Sequence, residues 1–234
     1  MFTVAILAGG LATRLRPITE TVPKALVNVA GKPFIARQLE YLAKQGAYKV
    51  VICVGYLGEM IEELVGNGES YGLQVNYSFD GAKLRGTGGA LKLAMPLLSE
   101  HFFVLYGDSF LPVNFKAIQL AYESSSDPAL MTVFKNEGRW DNSNVMFVDG
   151  RLIEYNKPAP RSGMNYIDYG LGLLSKSVFD NYTTGNPIDL SEIYHQLSIK
   201  GQLQGFEVHE RFYEIGSHSG LKEAEEYFLT KEKI

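Results

Sequence analysis

The sequence predicts an α/β protein: a mostly parallel sheet flanked by helices, joined to a small β lobe. Three observations predict it. Apolar runs of strand length alternate with helix-length segments through the first half of the 234 residues, the order that builds a parallel sheet covered on both faces. The first run ends in a glycine pair, Gly9-Gly10, followed closely by basic residues. In the second half short strand-like runs take over, with the hairpin signal Asp149-Gly150 between two of them.

Taken in order, Thr3 to Ala8 is continuously apolar, as a strand buried on both faces requires. Phe34 to Gln45 carries Phe34, Ile35, Leu39 and Leu42 at helical spacing, and Gly46 suits its C-terminal cap. Lys49 to Gly55 reads as a strand, Gly58 to Val65 as a short helix, and Gln74 to Ser78 as an alternating strand. A glycine-rich turn opens a helix over Thr87 to Leu98. Phe102 to Tyr106 is a strand ending at Gly107-Asp108, Phe115 to Glu123 a helix, and Ala129 to Phe134 a strand. Val145 to Val148 and Arg151 to Tyr155 form the hairpin, and Tyr166 to Leu174 is a strand holding two glycines. Leu190 to Ile199 is helical with Asp189 as N-cap. Phe206 to Val208 and Phe212 to Ile215 are short strands, and Leu221 to Lys231 is a closing helix.

Composition narrows the function classes. Charged residues are 21% and hydrophobic residues 46%, ordinary for a globular chain. A net charge of −4 argues against a nucleic-acid or membrane-surface partner. The single Cys53, in an apolar run, excludes an intramolecular disulfide and a cysteine-built metal site. The chain has neither a run of about eighteen apolar residues nor a secretory leader pattern, so a cytoplasmic protein is expected.

The residues best suited to chemistry lie at the end of the first strand. Leu7-Ala8-Gly9-Gly10-Leu11-Ala12-Thr13-Arg14-Leu15-Arg16-Pro17 is followed by Pro23-Lys24. Glycines let backbone N–H groups approach an anion without a Cβ in the way. Arg14 and Lys24 supply the countercharge for a polyphosphate. Asp108 follows a strand and a glycine. An aspartate at the C-terminal end of a parallel strand faces the crevice where such sheets bind ligands, although an aspartate after glycine also serves as a turn residue.

These segments resemble the signature of the sugar-phosphate nucleotidyltransferases, approximately G-G-x-G-T-R-L-x-P followed by P-K. Gly9, Gly10, Thr13, Arg14, Leu15, Pro17, Pro23 and Lys24 match it, and Ala12 stands where glycine is usual. Leu84-Arg85-Gly86-Thr87-Gly88-Gly89-Ala90 is similar to the family's L-G-T-G-G-A loop. The resemblance implies a Rossmann-like sheet of the nucleotide-diphospho-sugar transferase type with a small sugar-binding β lobe. It implies one domain over 1–234: a nucleotide-binding body over 1–135, an acceptor-binding lobe over about 136–170, and a closing part over 171–234 that carries a second metal ligand. The implied reaction joins a nucleoside triphosphate to a sugar 1-phosphate with Mg²⁺ and releases pyrophosphate.

Under that resemblance Leu7, Gly9, Gly10, Thr13, Arg14, Lys24, Asp80, Gly86 and Thr87 bind the nucleotide. Gly86 and Gly88 let the backbone come close to a flat base, and Thr87 is a candidate cap for its own helix. An acidic Asp80 suits the N1–H and 2-amino group of guanine. Asp108 and Glu214, the latter where the family has aspartate, hold the metal. Lys157, in Asn156-Lys157-Pro158 where the family has E-K-P, orients the acceptor phosphate. Arg139, Glu154 and Asp168 address the sugar, and Trp140 is either a stacking platform or a packing residue. Glu210 reads as a surface charge, and of the four histidines only His218 lies near the Glu214 segment.

The chain looks most like short bacterial guanylyltransferases acting on mannose or heptose 1-phosphate. Uridylyl- or cytidylyltransferases with another acceptor, N-acetylmuramate 1-phosphate or phosphocholine, are the alternative. A non-catalytic nucleotide-sugar-binding regulator is the rival from another class, opposed by the presence of Arg14, Lys24 and Asp108 together. The expected partners are the two small substrates, with a homo-oligomer left open.

Overall fold

The computed structural model describes residues 1–10, 13–81, 83, 85–183 and 187–231, with Thr13 described by its backbone alone. Ala12 and Leu84, both singled out by the motif, lie outside the described residues. The first half runs β1 (Phe2–Ala8), β2 (Asn28–Val29), β3 (Lys32–Pro33), α1 (Phe34–Lys44), β4 (Ala47–Val54), α2 (Gly58–Val65), β5 (Gln74–Phe79) and α3 (Gly86–Ala94). It continues with β6 (His101–Tyr106), β7 (Ser109–Phe110), α4 (Phe115–Glu123) and β8 (Ala129–Lys135). The second half holds β9 (Val145–Val148), β10 (Arg151–Tyr155), β11 (Tyr166–Ser175), α5 (Leu190–Ile199), β12 (Leu203–Val208), β13 (Tyr213–Glu214) and α6 (His218–Lys231).

β6, β1, β4 and β5 lie side by side and parallel, with Leu7 opposite both Cys53 and Tyr106. The long β11 reverses direction, pairing antiparallel with β6 over Leu171–Ser175 and with β8 along its other edge. β12 completes that side parallel to β8. The β9–β10 hairpin joins the sheet where Val145 meets Tyr166. The expected mostly parallel sheet is present as the core β6-β1-β4-β5, and it is mixed on one side, where the long β11 returns antiparallel.

The alternation of the apolar runs sets the two faces. Val4 and Ile6 of β1 pack with Ile35, Leu39 and Leu42 of α1 and with Ile61, Phe115 and Ile118. Ala5 and Leu7 point the other way, toward Ala90, Leu91 and Ala94 of α3 and Ile193, Tyr194 and Leu197 of α5. This period-two division is what a strand covered on both sides produces. Ile6 is wholly enclosed, so truncation to alanine there costs about 2–5 kcal/mol. α6 closes the fold through Ala224 and Phe228, which pack against Val27, Phe34, Phe110 and Ile215.

Several boundaries differ from the sequence reading. The helix expected over Thr87 to Leu98 ends at Ala94 and passes into a 3₁₀ turn containing Pro96, since proline lacks the N–H an α-helix needs. Phe212 is not in a strand; its ring meets Phe134, Trp140 and Tyr169 edge-on, leaving only Tyr213–Glu214 paired. The hairpin, the Gly46 helix end at φ +95° and the Asp189 cap form as expected. Among the described residues no helix is long and apolar enough to cross a membrane.

Candidate active site

Four parallel strands deliver residues to one edge of the sheet. Gly9-Gly10 leaves β1, Gly55 leaves β4, Asp80 leaves β5 and Gly107-Asp108 leaves β6. The turns are stitched together: Gly107 N–H donates to Leu7 O (2.9 Å) and Asp80 N–H to Val54 O (2.9 Å). Gly9 and Gly55 pass so closely that a Cβ on Gly55 would lie 2.8 Å from Gly9 O. Glycine is required there by backbone against backbone, independently of any phosphate.

Two cavities open at this edge and share a wall. One, of about 250 Å³, is lined by Leu7, Gly9, Gly10, Lys24, Asp80, Gly86, Thr87, Tyr106 and Asp108, among others. The other, of about 550 Å³, is lined by Arg14, Arg139, Trp140, Lys157, Asp168, Arg211, Glu214, Tyr106 and Asp108, among others. Among the described residues only Tyr106 and Asp108 line both. A third hollow of about 700 Å³ lies at the opposite pole, around Thr3, Tyr48 and His101. It is larger, but it faces the N-terminal strand ends, away from the crevice where open α/β sheets bind ligands.

Charge converges on the shared wall. Lys24 Nζ lies 2.7 Å from Asp108 Oδ2. β13 pairs antiparallel with β7, setting Glu214 opposite Ser109, and Ile215 N–H donates to Asp108 O (2.9 Å). Burial raises the Glu214 carboxyl above its ordinary range and the nearby Asp108 carboxylate adds to this, while Arg14 and Lys24 pull it down. A Cβ on Gly216 would sit 3.3 Å from an Arg14 guanidinium nitrogen and 3.6 Å from both Glu214 Oε2 and Lys24 Nζ. Gly216 therefore leaves room where three charged side chains meet.

The donor set suits a divalent cation. Among the described residues no group of three or more His, Cys, Asp or Glu side chains is assembled to hold a metal. Asp108 and Glu214 would together offer the one or two carboxylates that a hard divalent cation takes when waters and substrate phosphates supply its other ligands. A cation held by these carboxylates would offset the burial and the Asp108 charge that together raise Glu214.

In the larger cavity Lys157 follows β10 and is exposed, with its charge felt by both Asp168 and Asp189. Asp168 Oδ1 accepts from Gly170 N–H (2.9 Å). Burial pushes its carboxyl up to about 6, against the pull of that N–H and of Lys157. Arg139 reaches the cavity while paired at 3.0 Å with Glu137. Trp140 is held edge-on by Phe212 and is covered by the Arg211 guanidinium 4.4 Å above its ring. Arg211 in turn pairs with Glu223 of α6.

Not every predicted residue arrives. Glu154 is not among the residues lining the larger cavity; its carboxylate accepts from Asn156 Nδ2 and pairs with Arg161 at 3.3 Å. Strand alternation turns it into the structure beside Asn156. Arg14 lines the larger cavity rather than the smaller one. The Thr13 side chain lies outside the described residues. His218 starts α6 and is exposed, as is Glu210.

The second glycine loop has a structural reason that the motif did not disclose. A Cβ on Gly86 would lie 2.4 Å from Ile188 O, and one on Gly88 2.9 Å from the Ile188 side chain. Gly88 and Gly89 N–H both donate to that same carbonyl. Thr87 does not cap its own helix, whose N-cap is Arg85. Its hydroxyl accepts from Leu190 N–H (2.8 Å) and reaches Asp189 Oδ1 (3.3 Å), at the start of α5. Hydrogen bonds from Ser191 and Thr87, with the nearby Lys157, hold Asp189 below the ordinary carboxylate range although burial opposes them. Tyr106 and Gly216 were not marked as site residues by sequence reasoning. Tyr106 could have been found, since it directly precedes Gly107-Asp108; that Gly216 faces Arg14, Lys24 and Glu214 depends on long-range packing.

Residues 3–231 match the Nucleotidyl transferase family. The chain is 28% identical over 226 residues to the N-acetylmuramate α-1-phosphate uridylyltransferase of Neisseria meningitidis serogroup B, covering 94% of this chain and 95% of that protein. It is 28% identical over 214 residues to the D-glycero-α-D-manno-heptose 1-phosphate guanylyltransferase of Campylobacter jejuni, covering 90% and 93%. The crystal structure of HddC from Yersinia pseudotuberculosis complexed with GMP-PN superimposes with a TM-score of 0.78 at 25% identity, covering 97% of this chain and 100% of that one. Fold and paired cavities thus define an enzyme of the nucleotide-diphospho-sugar transferase architecture. The chain belongs to the nucleotidyl transferase family.

Proposed function

We propose that this enzyme transfers a guanylyl group from GTP to a sugar 1-phosphate, mannose or D-glycero-D-manno-heptose 1-phosphate, giving an NDP-sugar and pyrophosphate. The observation that carries the reading is that Asp108 lines both cavities. A group on the shared wall can touch the α-phosphate from one side and the attacking phosphate oxygen from the other. That oxygen forms a new bond to the α-phosphorus while the bond to the bridging β-phosphate oxygen breaks, so no protein nucleophile is needed.

In this reading Gly9 and Gly10 offer backbone N–H groups to the triphosphate, and Lys24 neutralises it. Arg14, beside Glu214, balances charge on the acceptor side. Lys157 binds the acceptor phosphate, while Asp168 accepts from a sugar hydroxyl and Arg139 reaches the sugar or its phosphate. Asp108 and Glu214 hold the divalent cation, Mg²⁺. When bound, it neutralises phosphate oxygens and the charge developing on pyrophosphate. The body over 1–135 then binds nucleotide, and the segment over about 136–170, with the Lys157 and Asp168 side chains, binds the acceptor.

Guanine is favoured by Asp80. Asp80 lines the smaller cavity, and a carboxylate there suits the adjacent N1–H and 2-amino donors that guanine offers. Guanylyl transfer by the Campylobacter relative and GMP-PN in the Yersinia structure agree with this, whereas the Neisseria relative uses a uridylyl group.

The test is pyrophosphate release with Mg²⁺ from GTP, UTP, CTP, ATP and dTTP, each against mannose, heptose and N-acetylmuramate 1-phosphates and phosphocholine. Release confined to GTP with a manno-configured acceptor supports the proposal. Release with UTP and N-acetylmuramate 1-phosphate replaces it. Nucleotide-sugar binding without release with any pair would make the chain a regulator.

A further inference from the structure

We infer that Gln38 is a positioning residue for nucleotidyl transfer, fixing the turn that carries Asp108. Gln38 lies in α1 between Phe34 and Leu42, in the stripe turned toward the sheet, and is 3% exposed. An amide in the middle of an apolar stripe needs a reason. Its Nε2 donates to Tyr106 O (2.9 Å) and to Ser109 O (2.8 Å). One amide thus spans the turn Tyr106-Gly107-Asp108-Ser109 and ties its entry to its exit.

The orientation follows from chemistry. With the amide flipped, Oε1 would face two carbonyl oxygens, which repel it. In the observed orientation Oε1 is buried and has no partner among the described residues. Leaving an acceptor unsatisfied costs free energy, and the side chain bears that cost while both donor hydrogens are used. The turn has two further ties, Gly107 N–H to Leu7 O and Ile215 N–H to Asp108 O, each 2.9 Å. The first fixes it to β1 and the second to the strand carrying Glu214. Gln38 supplies the attachment to α1.

The consequence concerns both substrates, because Asp108 and Tyr106 form the wall between the cavities. Without Gln38 the Asp108 carboxylate keeps its Lys24 partner but loses a fixed backbone beneath it. Sub-ångström misplacement of a group between two reacting phosphates lowers turnover far more than it lowers binding of either substrate. The inference rests on the proposed role of Asp108, and its test separates the two.

The variants are Gln38→Met, which keeps length and removes the donors, and Gln38→Glu, which presents acceptors to two carbonyls. Asp108→Asn is the control for the underlying reading. We expect Gln38→Met to stay folded by circular dichroism and to lower kcat by about ten- to a hundredfold with KM for nucleotide within about threefold. Mn²⁺ affinity, read by electron paramagnetic resonance without turnover, weakens. Amide exchange in peptides covering 106–110 accelerates while the β1 and β4 peptides are unchanged. Gln38→Glu loses more at neutral pH and recovers in part at acid pH, where protonation of the introduced carboxylate restores one donor.

Wild-type kcat, Mn²⁺ affinity and 106–110 exchange in a folded Gln38→Met protein would overturn the inference. So would a variant that only melts earlier, with those three readouts unchanged. Full activity in Asp108→Asn would instead sink the role of Asp108, whatever Gln38 does.

Discussion

Lys24 Nζ and Asp108 Oδ2 stand 2.7 Å apart across 84 residues of sequence. Lys24 enters from the loop after β1 and Asp108 from the turn after β6, strands that pair directly. The pair stands at the wall between the cavities, and in the proposed reading it joins the cation that binds phosphate to the carboxylate that binds metal. Lys24→Ala is expected to reduce pyrophosphate release by at least about a thousandfold and stability by only about 1–2 kcal/mol. Steady-state assay with a urea melt checks this. Near-normal turnover would remove Lys24 from the chemistry.

Asp80→Asn keeps the shape of the side chain but replaces one acceptor oxygen by a donor. The expected result is a loss of about tenfold to a thousandfold in kcat/KM for GTP, with a smaller loss for ITP, which lacks the 2-amino group. Equal losses for both nucleotides would show that Asp80 does not read that amino group.

Asp168 predicts a pH dependence. Burial pushes its carboxyl up to about 6, against the pull of the Gly170 N–H and Lys157. Only the charged form accepts freely from a sugar hydroxyl, so KM for the acceptor should fall as pH rises through that value. Stability runs oppositely. A raised folded pKa means the Asp168 contribution is fully present below the ordinary carboxylate range and is lost as pH rises through about 6. Asp168→Asn should flatten both profiles, and an unchanged KM profile in that variant would assign the titration to another group.

Trp140 is the only tryptophan, lines the larger cavity and lies under the Arg211 guanidinium. Its fluorescence should change on titration with a sugar 1-phosphate and respond little to GTP alone. A response to GTP of equal size would mean that nucleotide occupies, or reshapes, the larger cavity.

Gly86→Ala separates the two readings of the second glycine loop. Gly86 has φ +73°, and a Cβ would meet the Ile188 carbonyl. The expected outcome is destabilisation by about 1–3 kcal/mol, seen as a lower urea midpoint. An undiminished midpoint with weaker nucleotide binding would return the glycine to a purely ligand-facing role.

Much was legible in the chain itself. Gly9, Gly10 and Asp108 stand out because a parallel strand announces itself by a continuous apolar run, and ligands gather where such runs end; Lys24 and Asp80 stand out through their places beside the glycine-containing motifs. Lys157 and Asp168 stand out through motif likeness and do reach the larger cavity. Glu154 does not reach it, because proximity in sequence to Lys157 says nothing about which face of β10 a side chain takes. Gln38 carries a signal of its own, an amide within a helical apolar stripe, but its partners lie about seventy residues away and only the fold names them.

The sequence by itself determined the long strands and helices of the body in order and the loops that carry charge, because apolar periodicity and glycine-basic spacing are local properties; the class of chemistry followed from the motif's likeness to a known family. Only the tertiary structure decided that Asp108 divides two cavities, that Glu214 meets it through the β7–β13 pair, and that Gly86 answers to Ile188. Each of these depends on the register between segments far apart in the chain. That register is set by packing on both faces of the sheet rather than by any neighbouring residue.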